Sequence, residues 1–182
     1  ARRLVMDRVE PCPPVNVSLA EAVGHTLAED VKADIDSPPQ AKALVDGYAI
    51  RVADLRQASV ELQVIEEVMA GQVPTQSVVA GQATRIMTGA PVPDGADTVI
   101  PFEETDEVER KHEGRPLDRV TVFADMPTGC NVRPAGEDIR AGILVLEKGI
   151  VVRAAEVGVI ASLGLDRVKV VRRPIVAILA TG

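Results

Sequence analysis

Apolar and polar positions follow three different rules along this chain: a helical period near the start, short alternating runs through the middle, and a mixture towards the end. Ser18-Leu19-Ala20-Glu21 has the spacing of a helix capping box, in which the serine hydroxyl takes an early backbone N–H and the glutamate reaches back to the cap. Leu19, Ala22, Val23, Thr26 and Leu27 then recur at helical spacing, so the pattern predicts a helix over residues 18–29. Val31 to Ile35 alternates as a half-buried strand does. Pro38-Pro39 stops it, because proline lacks a donor and restricts the residue before it.

From Gly47 to Arg133 the signals are short strands separated by glycine and proline. The candidates are residues 48–51, 60–69, 83–87, 98–102 and 119–123. Many short strands between turn residues predict a small β-barrel or sandwich, with Asp94-Gly95 as one of its turns. After Gly136 the pattern mixes again. Residues 143–146 and 150–152 read as strands around Glu147-Lys148-Gly149, 154–163 as a helix ended by Gly164, and 168–171 as a further strand. The predicted fold class is therefore mixed α/β and β: an α/β linker domain (residues 1–45 with 139–173) carrying an inserted β-barrel-like domain (46–138). The run Pro174 to Gly182 is apolar at nearly every position. It suits the first strand of a third α/β domain, buried on both faces.

Composition narrows the function classes. The net charge is −7, from 20 basic and 27 acidic side chains, which argues against nucleic acid, since phosphate binding needs a basic face. Tyr48, Phe102 and Phe123 are the only aromatics, too few for a base-stacking platform. Two histidines and two cysteines far apart in sequence do not make a zinc site, and Cys12 and Cys130 have the look of reduced, cytoplasmic thiols. No apolar run approaches the ~20 residues of a membrane-spanning helix, and the N-terminus lacks the form of a signal peptide. Ala1 in place of Met points to an upstream start or to processing.

Three glycine-containing clusters could carry chemistry. In Val45-Asp46-Gly47-Tyr48 an Asp precedes Gly at a strand start, most often a turn former. In Arg85-Ile86-Met87-Thr88-Gly89-Ala90-Pro91-Val92-Pro93 a hydroxyl and a glycine N–H meet a proline-stiffened loop, suited either to an oxyanion or to a plain turn. In Arg133-Pro134-Ala135-Gly136-Glu137-Asp138 adjacent carboxylates could hold a divalent cation or form a solvated turn. His25 and His112 read as structural or surface residues, and the acidic run Glu103-Glu104-Thr105-Asp106-Glu107 as a solvated loop.

Taken together, and in this order, the three clusters resemble the molybdopterin molybdenumtransferase family (MoeA and the gephyrin E-domain). Leu19-Ala20-Glu21-Ala22-Val23-Gly24, Leu27-Ala28-Glu29-Asp30 and Ala161-Ser162-Leu163-Gly164 add to the likeness, which covers nearly the whole chain. The resemblance implies insertion of molybdate into adenylylated molybdopterin with release of AMP, assisted by Mg2+. It also implies a homodimer whose cleft lies between the third domain of one subunit and the second domain of the other. It makes Asp46, Thr88 and Glu137 the catalytic candidates. Gly47, Tyr48, Arg85, Gly89, Ala90, Pro91, Arg133, Gly136 and Asp138 become the substrate-binding candidates, with Arg85 and Arg133 supplying positive charge for a small anionic substrate. The metal ligands are left unassigned.

Two departures from the family stand out. The segment from Pro38 to Val45 is shorter than usual and lacks a Ser and a Met. The third domain is absent, so the 182 residues alone are expected to be inactive. A different class of function, a non-catalytic dimerisation or scaffold module built from the same domains, is the alternative.

Overall fold

The computed structural model describes residues 3, 7–10, 12–55 and 59–180. The chain forms two compact units, one from residues 1–35 and 141–182 and the other from residues 36–140.

In the first unit β1 (Pro14–Ser18) lies antiparallel to β12 (Arg167–Val171), which also pairs with β2 (Thr26–Leu27). β3 (Val31–Lys32) pairs with β11 (Leu144–Leu146). The capping box forms as the sequence predicts: Glu21 N–H donates to Ser18 Oγ, and Ser18 N–H to Glu21 Oε2 at 3.0 Å. The helix it starts, α1 (Leu19–Ala22), is far shorter than residues 18–29. Gly24 enters the left-handed region at φ 78° and Thr26–Leu27 joins the sheet instead. The 3.6-residue spacing there records burial of Ala22 and Leu27 from two different elements, not one helix face. α3 (Ala154–Ser162) follows the prediction closely, with Gly164 at φ 78° just beyond it. Ile160, Leu163, Val152, Val168 and Val170 are buried with Ala22 and Leu27 in this unit's interior.

The second unit is built on β5 (Gly47–Ile50), β6 (Val60–Val68), β7 (Gln82–Ile86), β8 (Thr98–Pro101) and β9 (Arg119–Val122). They form one sheet in the order β8-β5-β7-β6-β9, antiparallel except for the β6–β7 pair. All five match sequence-predicted strands within two residues. The sheet curls so far that the chain leaving β8 meets β9 through a Thr105–Val122 bridge. It is a half-barrel rather than a closed ring of strands. The interior strand β5, held between β8 and β7, is buried at every residue, so alternate side chains feed two cores. Tyr48, Ile50, Leu62, Ile100 and Val120 fill one, while Ala49, Val68, Ile86, Ala90 and Val99 fill the other.

The sequence reading placed the first domain boundary at residue 45, whereas the units divide at residue 35. The segment between belongs with the half-barrel because β4 (Lys42–Ala43) pairs with β10 (Val132–Arg133). Only the first half of the acidic run is solvated, with Glu103 and Glu104 exposed. Asp106 and Glu107 are buried at the start of a short helix, α2 (Glu107–His112). Pro174 to Ala180 forms no strand. Ile175, Val176, Ile178 and Leu179 are exposed, because an apolar run becomes a strand only where a neighbour takes its backbone bonds. The Thr181-Gly182 end of that run lies outside the described residues.

Candidate functional site

β5 and β7 are paired neighbours, and the chain just beyond each carries a candidate. Gly47 is paired with Ile86, Tyr48 with Arg85. Asp46 immediately precedes the first pair and Thr88 follows Ile86 by two residues. The carboxylate Oδ1 of Asp46 accepts the Thr88 backbone N–H at 2.7 Å and the Thr88 hydroxyl at 2.7 Å. Both residues are exposed. The Thr88 N–H bond, then the hydroxyl bond, with help from the charge of Arg85, hold the Asp46 carboxyl below its ordinary range. Asp46 is thus ionised at neutral pH, with both bonds on the one oxygen Oδ1.

Gly47 makes this geometry possible. A Cβ there would stand 1.9 Å from the carbonyl oxygen of Ile100, so only glycine lets β5 approach β8 closely enough. The loop after Thr88 is fixed just as firmly. Gly89 N–H donates to Ala43 O at 2.8 Å, Ala43 N–H to Ala90 O at 3.0 Å, and Val92 N–H to Ala41 O at 2.9 Å. Ala90 is fully buried, and Pro91 bridges Lys42. Two expectations change as a result. The Gly89 N–H is spent on Ala43 and the Thr88 hydroxyl proton on Asp46, so neither donor waits for an oxyanion. The surface they present is an acceptor.

The third cluster reaches the same framework through β4, which pairs with the Thr88 loop on one side and with β10 on the other. Arg133, at the end of β10, is ion-paired to both Glu137 and Asp138, with Nε to Glu137 Oε2 at 2.7 Å. Glu137 and Asp138 are exposed, whereas Gly136 is buried, close to Asp36 and Arg140. The hydrogen bond that Arg133 donates to the Glu137 carboxylate, then the nearby Asp138 charge, raise the Arg133 pKa.

Arg85 and Tyr48 face inwards. Tyr48 is fully buried and its hydroxyl donates to Glu107 Oε2 at 2.6 Å. Arg85 donates to the same carboxylate through Nε at 3.2 Å and Nη2 at 2.9 Å, pairs with Glu67 through Nη1, and lies over the Phe102 ring at 4.6 Å. Lys111 completes the set on Glu107. Burial pushes the Glu107 carboxyl up, but the bonds from Arg85, Lys111 and Tyr48 outweigh it and hold it below the ordinary range. Burial, reinforced by Glu107, pushes the Tyr48 hydroxyl well above its usual value. Arg85 and Arg133 are therefore each matched by two acids of their own, and neither is a spare cation for an anionic substrate.

Glu107 was hidden in an acidic run that charge patterning reads as solvated. The signal that points to it is Tyr48. A tyrosine on a predicted strand needs a partner for its hydroxyl wherever that strand is buried, and an arginine one strand away needs a counter-charge.

Among the described residues, no group of three His, Cys, Asp or Glu side chains is placed to hold a metal ion. An open cleft of about 490 Å³ lies between residues 73–77 and 92–96, and none of Asp46, Thr88 and Glu137 lines it. Cys12 and Cys130 are free thiols, and no described helix is long and apolar enough to cross a membrane.

Comparison with known proteins matches nearly the whole chain. A family model for the MoeA N-terminal region (domain I and II) matches residues 1–164. The molybdopterin molybdenumtransferase of Staphylococcus epidermidis is 38% identical over 185 aligned residues, covering 100% of this chain and 42% of that protein. The Staphylococcus aureus enzyme of the same name is 37% identical, covering 98% and 42%. Two structures of the molybdopterin biosynthesis MoeA protein from Pyrococcus horikoshii each cover 94% of the chain. One has a TM-score of 0.77 at 38% identity and the other 0.84 at 31%, over 45% and 43% of their own lengths. The chain spans less than half the length of these relatives. With a half-barrel inserted between the two parts of a mixed unit, and Asp46, Thr88 and Glu137 all within it, the chain belongs to the MoeA N-terminal (domain I and II) family.

Proposed function

We propose that the protein acts in molybdenum cofactor biosynthesis, as the portion of a molybdopterin molybdenumtransferase that contributes Asp46 to the transfer of molybdate into adenylylated molybdopterin. The observation that carries this reading is the Asp46–Thr88 pair: an exposed, ionised carboxylate held by two hydrogen bonds on a rigid pair of strands. Such a group can accept a proton or orient a water or hydroxyl beside a phosphoanhydride, and it is pre-positioned rather than assembled on binding. Thr88 fixes the carboxylate's direction. Glu137 and Asp138, tied to Arg133, give a second acidic edge on the same framework.

The chain's own residues set limits on this chemistry. Since Arg85 and Arg133 are internally matched, the cationic contacts to molybdate and phosphate come from elsewhere in this reading. Mg2+, implied by the family resemblance, finds no ligand set among the described residues, and Asp46, Glu137 and Asp138 each have a partner already. A homodimer in the cytoplasm, with the site completed by a third domain, accompanies the proposal, as does inactivity of the 182 residues alone.

The experiment is complementation of a molybdenumtransferase-deficient strain. Full-length protein should restore molybdenum-enzyme activity and its Asp46→Ala variant should not. Full restoration by that variant would remove Asp46 from the site and favour the scaffold reading. Release of AMP from adenylylated molybdopterin by the 182-residue chain alone would overturn its inactivity.

A further inference from the structure

Glu107 lies 61 positions beyond Asp46 in sequence, yet its carboxylate sits on the strand pair that presents Asp46 and Thr88. Tyr48 and Arg85 are register partners across β5 and β7. One carboxylate binds both: Oε2 accepts Tyr48 Oη at 2.6 Å and Arg85 Nε at 3.2 Å, while Oε1 accepts Arg85 Nη2 at 2.9 Å. Glu107 is 1% exposed, so these bonds act in a medium where an unmet partner is costly. Going towards the open end, the next pair is Gly47–Ile86, which has no side chain on the β5 side to lock it. Asp46 and Thr88 follow. The chain leaving β8 adds a further tie, since Phe102 N–H donates to Asp46 O at 3.3 Å and the Phe102 ring lies under Arg85 and edge-on to Tyr48 at 5.6 Å.

We propose that Glu107 is a positioning residue for the Asp46–Thr88 pair. It clamps Tyr48 to Arg85 and so fixes the separation and twist of the two strand ends that bring the Asp46 carboxylate to Thr88. It does not touch the site; it acts through Tyr48 and Arg85. Only its relevance to catalysis rests on the proposed function, because the clamp itself is a property of the fold.

The test uses the Thr88 amide proton in NMR spectra of the 182-residue chain. Because that N–H is bonded to Asp46, its chemical shift should move with pH as the Asp46 carboxyl titrates, and Asp46→Asn should abolish the movement. Glu107→Gln, which turns an amide NH2 towards one of its donors, and Tyr48→Phe, which removes the other donor, should each cut the amplitude of that movement by about half as the bond lengthens. Val120→Ala, a cavity in the same core but on β9, which pairs with neither β5 nor β7, should lower the melting temperature and leave the Thr88 movement at its wild-type size. Wild-type amplitude in both Glu107→Gln and Tyr48→Phe would reduce Glu107 to a core residue and overturn the proposal. Activity that survives Asp46→Asn would instead remove the functional reading and leave the clamp standing.

Discussion

Glu107 and Glu137 both face an arginine with a second acid beside it, yet one is sealed in a core and the other stands in water. Glu107 has 2% of its side chain exposed, against 49% for Glu137. Around Glu107 the strands, Phe102 and α2 exclude solvent, so every donor and charge must be met from inside. Around Glu137 water and salt screen the charges, so the exposed ion pair with Arg133 adds little. Similar residue pairs thus have different consequences: the buried set specifies structure, whereas the exposed set is screened by solvent and contributes little to stability.

Breaking the buried side should have the largest effect. Glu107→Ala leaves Arg85 without its main counter-charge and Tyr48 without an acceptor. It should cost about 3–5 kcal/mol of unfolding free energy, read by denaturant titration. A loss no larger than that of an exposed pair would erase the contrast.

The next effect is on pH dependence. Asp106 and Glu107 both have carboxyls depressed in the folded chain. Burial opposes the depression, but the Thr121 N–H and Arg110 for Asp106, and Arg85, Lys111 and Tyr48 for Glu107, outweigh it. A depressed folded value gives stability that is fully present above the unfolded carboxylate pKa and lost as pH falls through the folded one. The wild-type chain should lose stability from about pH 5 downwards, and Glu107→Gln should flatten that slope. An unchanged slope would mean that Glu107 is not held as a carboxylate.

The exposed side should respond least. Glu137→Ala should change stability by less than about 1 kcal/mol, and added salt should shrink the difference further. A larger, salt-independent loss would place Glu137 among the buried, structural acids.

The same contrast separates what could be read from the sequence from what could not. β5 to β9 were legible because alternation, β-branched residues and glycine punctuation all describe a half-buried sheet locally. The capping box and α3 with Gly164 were legible for the same reason. The helix over residues 18–29 failed because helical spacing is also produced when α1 and β2 each bury one residue on a common core, and Gly24 separates them. The Asp46 and Thr88 candidates were recognisable as members of a motif, but their mutual bond spans 42 positions and follows only from the β5–β7 register. Glu107 was illegible as a buried residue because charge runs carry no information about the tyrosine and arginine that will enclose one of their members. The matched state of Arg85 and Arg133 is likewise a tertiary fact.

The central claim is that Asp46, held by Thr88, is a working carboxylate. Its most direct test is turnover of adenylylated molybdopterin by the full-length protein carrying Asp46→Asn, a change that keeps an oxygen for the Thr88 N–H. The account predicts a fall in kcat of about a hundredfold or more, with an unchanged melting temperature. Wild-type kcat in that variant would contradict it.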